Sequence, residues 1–211
     1  GVQAVHPVPP EIVAEQIKSC LSDIGVDAIK LGMLVDSATI AAVQAAIADV
    51  DAPIILDPVM VATSGDRLLD EAALEALWEL IPRAALITPN IPEAEILSGI
   101  TIDSSEAMVD AAQVLADKGA KALLLKGGHM QGEMLYNLLY SPEEAMWFEW
   151  LRIDTPHTHG TGCTLAAAVT ALLAQGKSLA EAAEDAQDYV YRAIRTAPGF
   201  GGGHGPLNHL V

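Results

Sequence analysis

The chain has little cysteine, few basic residues and no long apolar run. Cys20 and Cys163 are the only cysteines among 211 residues, and their distance in sequence excludes a disulfide framework and a CxxC metal site. Lysine and arginine number 11 against 28 acidic residues, giving a formal charge of −17. That charge repels phosphate backbones, so we expect no nucleic-acid partner. No window offers the roughly 18 uninterrupted apolar residues of a membrane span. These features predict a protein that does not enter membranes and, with two isolated thiols, a cytoplasmic location.

What is present is an apolar content of 51%, enough to bury the core of one domain, which we predict over residues 1–211. Short apolar runs alternate with segments whose apolar residues recur at helical spacing. This alternation predicts parallel βαβ units and an α/β fold, with one later pair of strands antiparallel. The predicted strands lie near 27–34, 52–57, 84–89, 120–128, 134–140 and 147–153, and the predicted helices near 11–24, 37–50, 69–81, 94–97, 105–118, 161–174 and 179–196. Cys20 falls on the apolar stripe of the first helix, which predicts a core position.

Polar side chains follow three of the predicted strands, where each apolar run ends. Asp57 ends "IILD", Asn90 and Glu93 follow "LITP", and Lys126 ends "LLLK". In open parallel sheets the ligand crevice lies at the carboxyl ends of the strands. Carboxylates for Mg²⁺ and a lysine for phosphate are the groups that phosphoryl transfer requires. Each residue also has a structural alternative, as a turn former, a helix cap or a first-turn acid.

The segment "HTHGTGCTLAAAV" at 157–169 places a cysteine between a glycine turn and a helix-forming stretch. Gly160, Thr161 and Gly162 allow the backbone to approach an anion, which the helix N-terminus then stabilises. Cys163 lies in the same field, so it is placed to accept a proton from a substrate hydroxyl that attacks phosphorus. The alternative is a small buried helix residue.

Histidines near this segment raise two further hypotheses. His157 and His159 alternate along an extended segment without the spacing of a zinc site, which favours loop hydrogen bonding over metal binding. A covalent cysteine enzyme, with Cys163 as nucleophile and either histidine as base, is the second hypothesis. It leaves no role for the residues at the strand ends.

Several motifs together resemble one known family. They are "DPVM" at 57–60, "SGD" at 64–66, "TPNIPEAE" at 88–95, "KGGH" at 126–129, "HGTGCTLAAA" at 159–168 and "GHGPLNH" at 203–209. The chain is similar, nearly end to end, to the hydroxymethylpyrimidine and phosphomethylpyrimidine kinases of thiamine biosynthesis, within the ribokinase-like superfamily. The resemblance implies a three-layer α/β/α sandwich around a mostly parallel sheet. A GTGC turn, in place of the commoner GTGD, favours these kinases and a minority of pyridoxal kinases.

The resemblance also implies roles for individual residues, with ATP and Mg²⁺ as cofactors and a small pyrimidine alcohol as substrate. The catalytic group comprises the base Cys163 and the anion hole Gly160, Thr161 and Gly162. The groups that bind ATP are Lys126, Asn90, Asp57 and Gly127, and the Mg²⁺ ligands are Glu93 and Asp57. The residues that line the pyrimidine pocket are Gly32, Met33 and Val59.

Two departures from the family pattern qualify these expectations. Relatives usually begin with a glycine-rich strand and turn of the "AGSDSGGGAG" type, so we expect a sheet that lacks the N-terminal strand or strands and part of the pocket. Asn137 stands where relatives tend to carry an acid. The family expectation for assembly is a homodimer. The alternatives are a pyridoxal or pyridoxine kinase and a non-catalytic nucleotide-binding fragment.

Overall fold

The fold is built on one six-stranded sheet in a computed structural model that describes residues 4–60 and 71–211. The strands are β1 (Ile29–Leu31), β2 (Ile54–Leu56), β3 (Leu86–Ile87), β4 (Leu123–Lys126), β5 (Met134–Tyr140) and β6 (Ala145–Leu151). They lie side by side in chain order. Strands β1 to β4 are parallel, whereas β5 runs antiparallel to both β4 and β6. The predicted parallel units and the antiparallel late pair are both confirmed.

Helices cover both faces of this sheet. They are α1 (Pro10–Asp23), α2 (Ser37–Ala46), α3 (Glu71–Leu80), α4 (Ile91–Ser98), α5 (Ser105–Asp117), α6 (Thr161–Ala174) and α7 (Leu179–Arg195). Helices α2 to α5 contribute buried residues to one apolar cluster, and α6 and α7 contribute to a second. The result is the three-layer α/β/α sandwich that the motifs imply. Within the described residues no helix is both long and apolar enough to cross a membrane.

The strand sequences explain why the sheet lies in the middle. Ile54 and Leu56 on β2 join the first cluster, whereas Ile55 between them joins the second. All three are at most 4% exposed, because successive side chains of a strand point to opposite faces and both faces are covered. Burying an aliphatic side chain of this size contributes about 1.5–3 kcal/mol, so the short strands are held by packing on two sides.

The first strand and the first helix lie at the margin of this sandwich. Strand β1 has β2 as its one neighbour within the described part of the chain. Helix α1 packs on α2 and has no buried residue. The prediction of a core position for Cys20 is therefore wrong: its side chain is exposed, because the helix has a layer on one side only.

Candidate active site

The carboxyl ends of the four parallel strands are joined into one edge by backbone hydrogen bonds. The amide of Asp57, just after β2, donates to Leu31 O at the end of β1 over 2.8 Å. The amide of Thr88 donates to Leu56 O over 2.9 Å. The amide of Lys126 donates to Pro89 O, also over 2.9 Å. Residues that are remote in sequence thereby lie next to one another.

Asp57 and Lys126 form an ion pair at this edge. The Lys126 Nζ donates to Asp57 Oδ1 over 3.0 Å, and the side chains are 14% and 2% exposed. The hydroxyl of the buried Thr88 donates to the same oxygen over 3.1 Å. A buried carboxylate needs such partners, because an unpaired charge away from water is costly. The structure thus brings together a lysine and a carboxylate that the sequence placed on separate strands.

Glu93 lies on the first turn of α4 and closes a capping box with Asn90. Asn90 Oδ1 accepts from the Glu93 amide over 2.9 Å, and Glu93 Oε2 accepts from the Asn90 amide over 2.8 Å. Burial raises the pKa of Glu93 from an ordinary value of 4.5 to about 7, although the Lys126 ammonium and the Asn90 amide act in the opposite direction. The proton occupancy of this carboxyl therefore changes near neutral pH.

Helix α6 begins without a side-chain cap. Its N-cap is Gly160, whose φ of +84° is a left-handed conformation that glycine adopts without strain. The Thr161 hydroxyl donates to Thr158 O over 2.7 Å and does not cap the helix. Within residues 4–60 and 71–211, the amides of Gly162 and Cys163 donate to no acceptor. Such an open helix N-terminus presents N–H groups and a positive dipole end to an anion.

The lysine and the helix start lie against each other. A Cβ built on Gly162 would be 3.2 Å from Lys126 Nζ. The ammonium, the free amides and the Asp57 carboxylate therefore surround one region at the sheet edge. Cys163, on the first turn of the same helix, is exposed and unpaired as a disulfide. The exposed thiol excludes the alternative of a buried packing residue.

The residue after Lys126 is held by a side-chain network. The Gly127 amide donates to Asn137 Oδ1 over 2.9 Å, and Asn137 Nδ2 donates to Gln187 Oε1 over 2.7 Å. Asn137 thus connects the lysine turn to α7. Because the Gly127 amide already has an acceptor, its predicted contact with ATP requires that this bond be exchanged. That assignment stays a prediction.

The turn at residues 128–132 is held by hydrogen bonds from Arg152. Its guanidinium donates to Gly132 O over 2.8 Å, to Gly128 O over 3.0 Å and to Met130 O. Burial, together with the Lys126 and Arg152 cations, lowers the pKa of His129 in this turn. The lowered pKa favours a neutral His129 imidazole, and the Arg152 guanidinium is already bonded to three carbonyl oxygens. Lys126 is therefore the cation of this region that lies against the start of α6.

The predicted pocket residues lie at the same edge as the ion pair. Gly32 and Met33 follow β1 directly, and Val59 is two residues beyond Asp57. Met33 is 43% exposed and Gly32 and Val59 are half-buried, so all three are open to a ligand. The "SGD" motif at 64–66 lies outside the described residues. Contact of Gly32, Met33 and Val59 with a substrate stays a prediction.

A divalent cation fits the two carboxylates. Asp57 Oδ1 and Glu93 Oε2 accept hydrogen bonds, and a backbone hydrogen bond from Met60 also reaches the Glu93 carboxyl. No third His, Cys, Asp or Glu joins them in the part of the chain that the structure describes. Mg²⁺ is usually held by one or two carboxylates and by substrate phosphates, so this pair of carboxylates suits it better than it suits zinc.

A cavity of the described residues lies away from this edge. It is a groove of about 710 Å³ between α6 and α7, with Ala167, Ala171 and Leu172 on one side and Tyr189 and Arg192 on the other. Of the predicted site residues it contains Cys163 alone. The ion pair and the free amides lie at the sheet edge, whereas the groove is largely apolar. The sheet edge therefore suits a phosphate better than the groove does.

Two residues of the site, Thr88 and Gln187, were not predicted from the sequence. Thr88 donates a hydrogen bond to Asp57, and its position directly after β3 could have indicated that it belongs to the site. Gln187 holds Asn137 across 50 positions of the chain, and a glutamine inside a helix carries no comparable signal.

A parallel sheet with a lysine, carboxylates and an open helix N-terminus at its carboxyl edge defines a phosphotransferase of the ribokinase-like class. The profile of one family, described as phosphomethylpyrimidine kinase, matches residues 1–208. The chain belongs to this family. Its sequence therefore encodes a kinase.

Two curated relatives illustrate the similarity. The thiamine biosynthesis bifunctional protein ThiED of Geobacter sulfurreducens is 45% identical over 213 residues, which are the whole of this chain and 44% of that protein. The hydroxymethylpyrimidine/phosphomethylpyrimidine kinase of Bacillus subtilis is 42% identical over 214 residues, covering this chain fully and 79% of the relative. The chain thus spans less than half of the bifunctional protein and about four fifths of the kinase.

Solved structures of two kinases share the fold of this chain. An ADP complex of Bacillus subtilis pyridoxal kinase superposes with a TM-score of 0.91 at 35% identity, covering 98% of this chain and 79% of that one. The phosphomethylpyrimidine kinase of Clostridium difficile superposes with a TM-score of 0.79 at 34% identity, covering 92% and 80%. Both relatives share the three-layer fold, so the fold alone does not choose between their two substrates.

Proposed function

We propose that this chain transfers the terminal phosphoryl group of ATP to the hydroxymethyl group of 4-amino-5-hydroxymethyl-2-methylpyrimidine, and then a second phosphoryl group to the monophosphate. The family and its curated relatives supply the substrate. The observation that carries the chemistry is the Lys126 ammonium, paired with Asp57 and lying beside the open start of α6. An ammonium and free amides on one spot suit the charge that develops on a phosphoryl group in transfer.

In this proposal the cation and the amides act on the phosphates. Lys126 exchanges its bond to Asp57 for a phosphate oxygen. The amides that follow Gly160 stabilise the equatorial oxygens of the transferred group. Asp57 and Glu93 would hold Mg²⁺, which neutralises phosphate charge when it is bound. The remaining ATP residue, Asn90, positions Glu93 through the capping box.

Cys163 moves the proton. The thiolate accepts the hydroxyl proton of the pyrimidine as that oxygen bonds to the γ-phosphorus and the bond to the ADP oxygen breaks. Gly32, Met33 and Val59 form the wall against which the flat ring is placed. The first-turn position of Cys163 puts its sulfur in the same positive field that stabilises the phosphates. Assembly as a homodimer and a cytoplasmic location accompany this proposal as family expectations.

Pyridoxal or pyridoxine is the second candidate substrate, since pyridoxal kinases superpose with high TM-scores and these compounds are also flat heteroaromatic alcohols. Measuring kcat/KM for the two alcohols with the same preparation separates the candidates. We expect the pyrimidine to be preferred by at least roughly tenfold, which corresponds to about 1.4 kcal/mol of transition-state binding. A preference for pyridoxal would replace the proposed substrate.

A further inference from the structure

A glycine-rich segment near the end of the chain contacts the turn that precedes α6. We define the C-terminal loop as residues 199–206 and the anion turn as residues 156–162. The His159 amide donates to Gly205 O over 3.2 Å, and His159 pairs with Pro206 as a parallel bridge. His204 Nδ1 lies 3.1 Å from Pro156 O. Two points of the anion turn are therefore bound to the loop.

The contact between the two segments leaves no room at Gly205. A Cβ built there would be 2.3 Å from His157 Nδ1 and 2.8 Å from Phe200 O, and Gly205 is buried. A Cβ on Gly199 would be 3.6 Å from His157 Nε2, an ordinary contact. His157 Nδ1 is buried without a hydrogen-bond partner in the described part of the chain. The imidazole is therefore fixed by the shape of the loop.

The loop itself is anchored to a rigid element. Just beyond it, the Asn208 amide donates to Ala193 O over 3.0 Å, and Asn208 Nδ2 donates to Thr196 Oγ1 over 3.2 Å. The intervening Leu207 is 3% exposed. Helix α7, which ends at Arg195, packs on α6 and on the sheet. Movement of the anion turn is thus opposed by a loop that is tied to the core.

From these contacts we infer that the C-terminal loop positions the anion turn for phosphoryl transfer, with Gly205 as the positioning residue. The inference rests on the proposed function, because it takes the turn to be the anion hole. The absence of a side chain at Gly205 lets the His157 ring and the His159 amide approach together. A side chain there displaces the turn, and a displacement on the order of 1 Å can lower a rate by up to about 10²-fold.

The test is Gly205→Ala, with Gly203→Ala as the matched control. A Cβ on Gly203 meets no atom within 4 Å, and its φ is not left-handed. We expect the Gly205 variant to lose at least roughly tenfold in kcat with KM for the pyrimidine within about twofold, because the anion turn acts on the transition state. The control should keep both constants. Equal kcat values for the two variants would overturn the inference.

Hydrogen exchange supplies a readout that does not depend on turnover. The His159 amide should exchange faster in the Gly205 variant than in the control, while the amides of β2 and β4 exchange alike. If the parent protein phosphorylates neither alcohol, the proposed function fails, whereas this exchange comparison still tests the contact. Unaltered exchange at His159 would contradict it.

If the Gly205→Ala variant does not fold, a double variant still tests the inference. His157→Ala removes the ring that the new methyl group meets at 2.3 Å and leaves the contact with Phe200 O at 2.8 Å, so His157→Ala/Gly205→Ala should recover part of the folding and part of the kcat lost in the single variant. A double variant that is no better than the single one would show that the His157 contact is not the cause.

Discussion

At the scale of single residues, the proposed proton transfer depends on Cys163, an exposed thiol on the first turn of a helix without a side-chain cap. Cys163→Ala should lower turnover by roughly 10²–10⁴-fold, the usual range for loss of a general base, and leave nucleotide affinity within about twofold. Steady-state rates and ATP-analogue titrations check both expectations.

Cys20 provides the control for that substitution. It is the other cysteine of the chain and is also exposed, but it lies on α1 at the margin of the sandwich. Cys20→Ala should leave turnover unchanged. A Cys163 variant as active as the Cys20 variant would remove the proton-transfer role.

Glu93 gives the second residue-scale prediction, because its pKa lies near 7 in the folded protein and near 4.5 in the unfolded chain. The folded state then binds more protons between these values, so stability falls as pH rises through that window. Glu93→Gln removes this dependence and can keep the bond from the Asn90 amide. Relative to the parent, the variant should gain about 2 kcal/mol in free energy of unfolding between about pH 5 and pH 8. Urea unfolding at both pH values measures it.

The same carboxyl should affect the magnesium requirement. Protons and Mg²⁺ compete for Glu93, so the Mg²⁺ concentration for half-maximal rate should rise as pH falls below about 7. In Glu93→Gln that concentration should be higher at every pH and lose this dependence. A variant whose magnesium titration matches that of the parent would end the assignment of Glu93 as a ligand.

At the scale of elements, α6 differs at its start from four other helices, although α1 also lacks a side-chain cap. Asp36, Asn90, Ser104 and Ser178 cap α2, α4, α5 and α7 with side chains, whereas α6 begins at a left-handed glycine. A capping side chain would occupy the amides that an anion needs. The helix therefore lacks a side-chain cap, worth about 1 kcal/mol, and its first amides stay free for the anion of the proposed function.

The two ends of α6 allow a matched test of that idea. Gly160 and Gly176 both have φ of +84°, and a Cβ at either would meet no atom within 4 Å. Gly160→Ala and Gly176→Ala should therefore each cost about 1–2 kcal/mol of stability. Only the Gly160 variant should lose turnover, because only that end faces Lys126. Equal losses of turnover would show that the open start of the helix has no special role.

The elements themselves were largely predictable, because each has a local cause. Apolar alternation and helical spacing located the six strands and seven α-helices of the described residues within a few positions. Cys20 was misjudged because an apolar stripe does not reveal whether a layer covers it. Asp57 and Lys126 were found because they follow strands, whereas the pairs Asn137 with Gln187 and His157 with Gly205 join segments about 50 residues apart and left no local pattern.

At the scale of the whole molecule, charge and topology act together. The chain carries a formal charge of −17, so the nucleotide of the proposed function needs a locally positive region, which Lys126 and the free amides of α6 would supply. A bound divalent cation on Asp57 and Glu93 would make this region more positive. The chain order of the strands brings these groups to one edge, since β1 to β4 are parallel and adjacent.

The most direct test of the central claim is to quantify ADP and phosphorylated pyrimidine in one reaction of this chain with ATP, Mg²⁺ and 4-amino-5-hydroxymethyl-2-methylpyrimidine. We expect one ADP for each phosphoryl group found on the pyrimidine, with the monophosphate appearing before the diphosphate. ADP formed at the same rate without the pyrimidine, or no phosphorylated product, would contradict it.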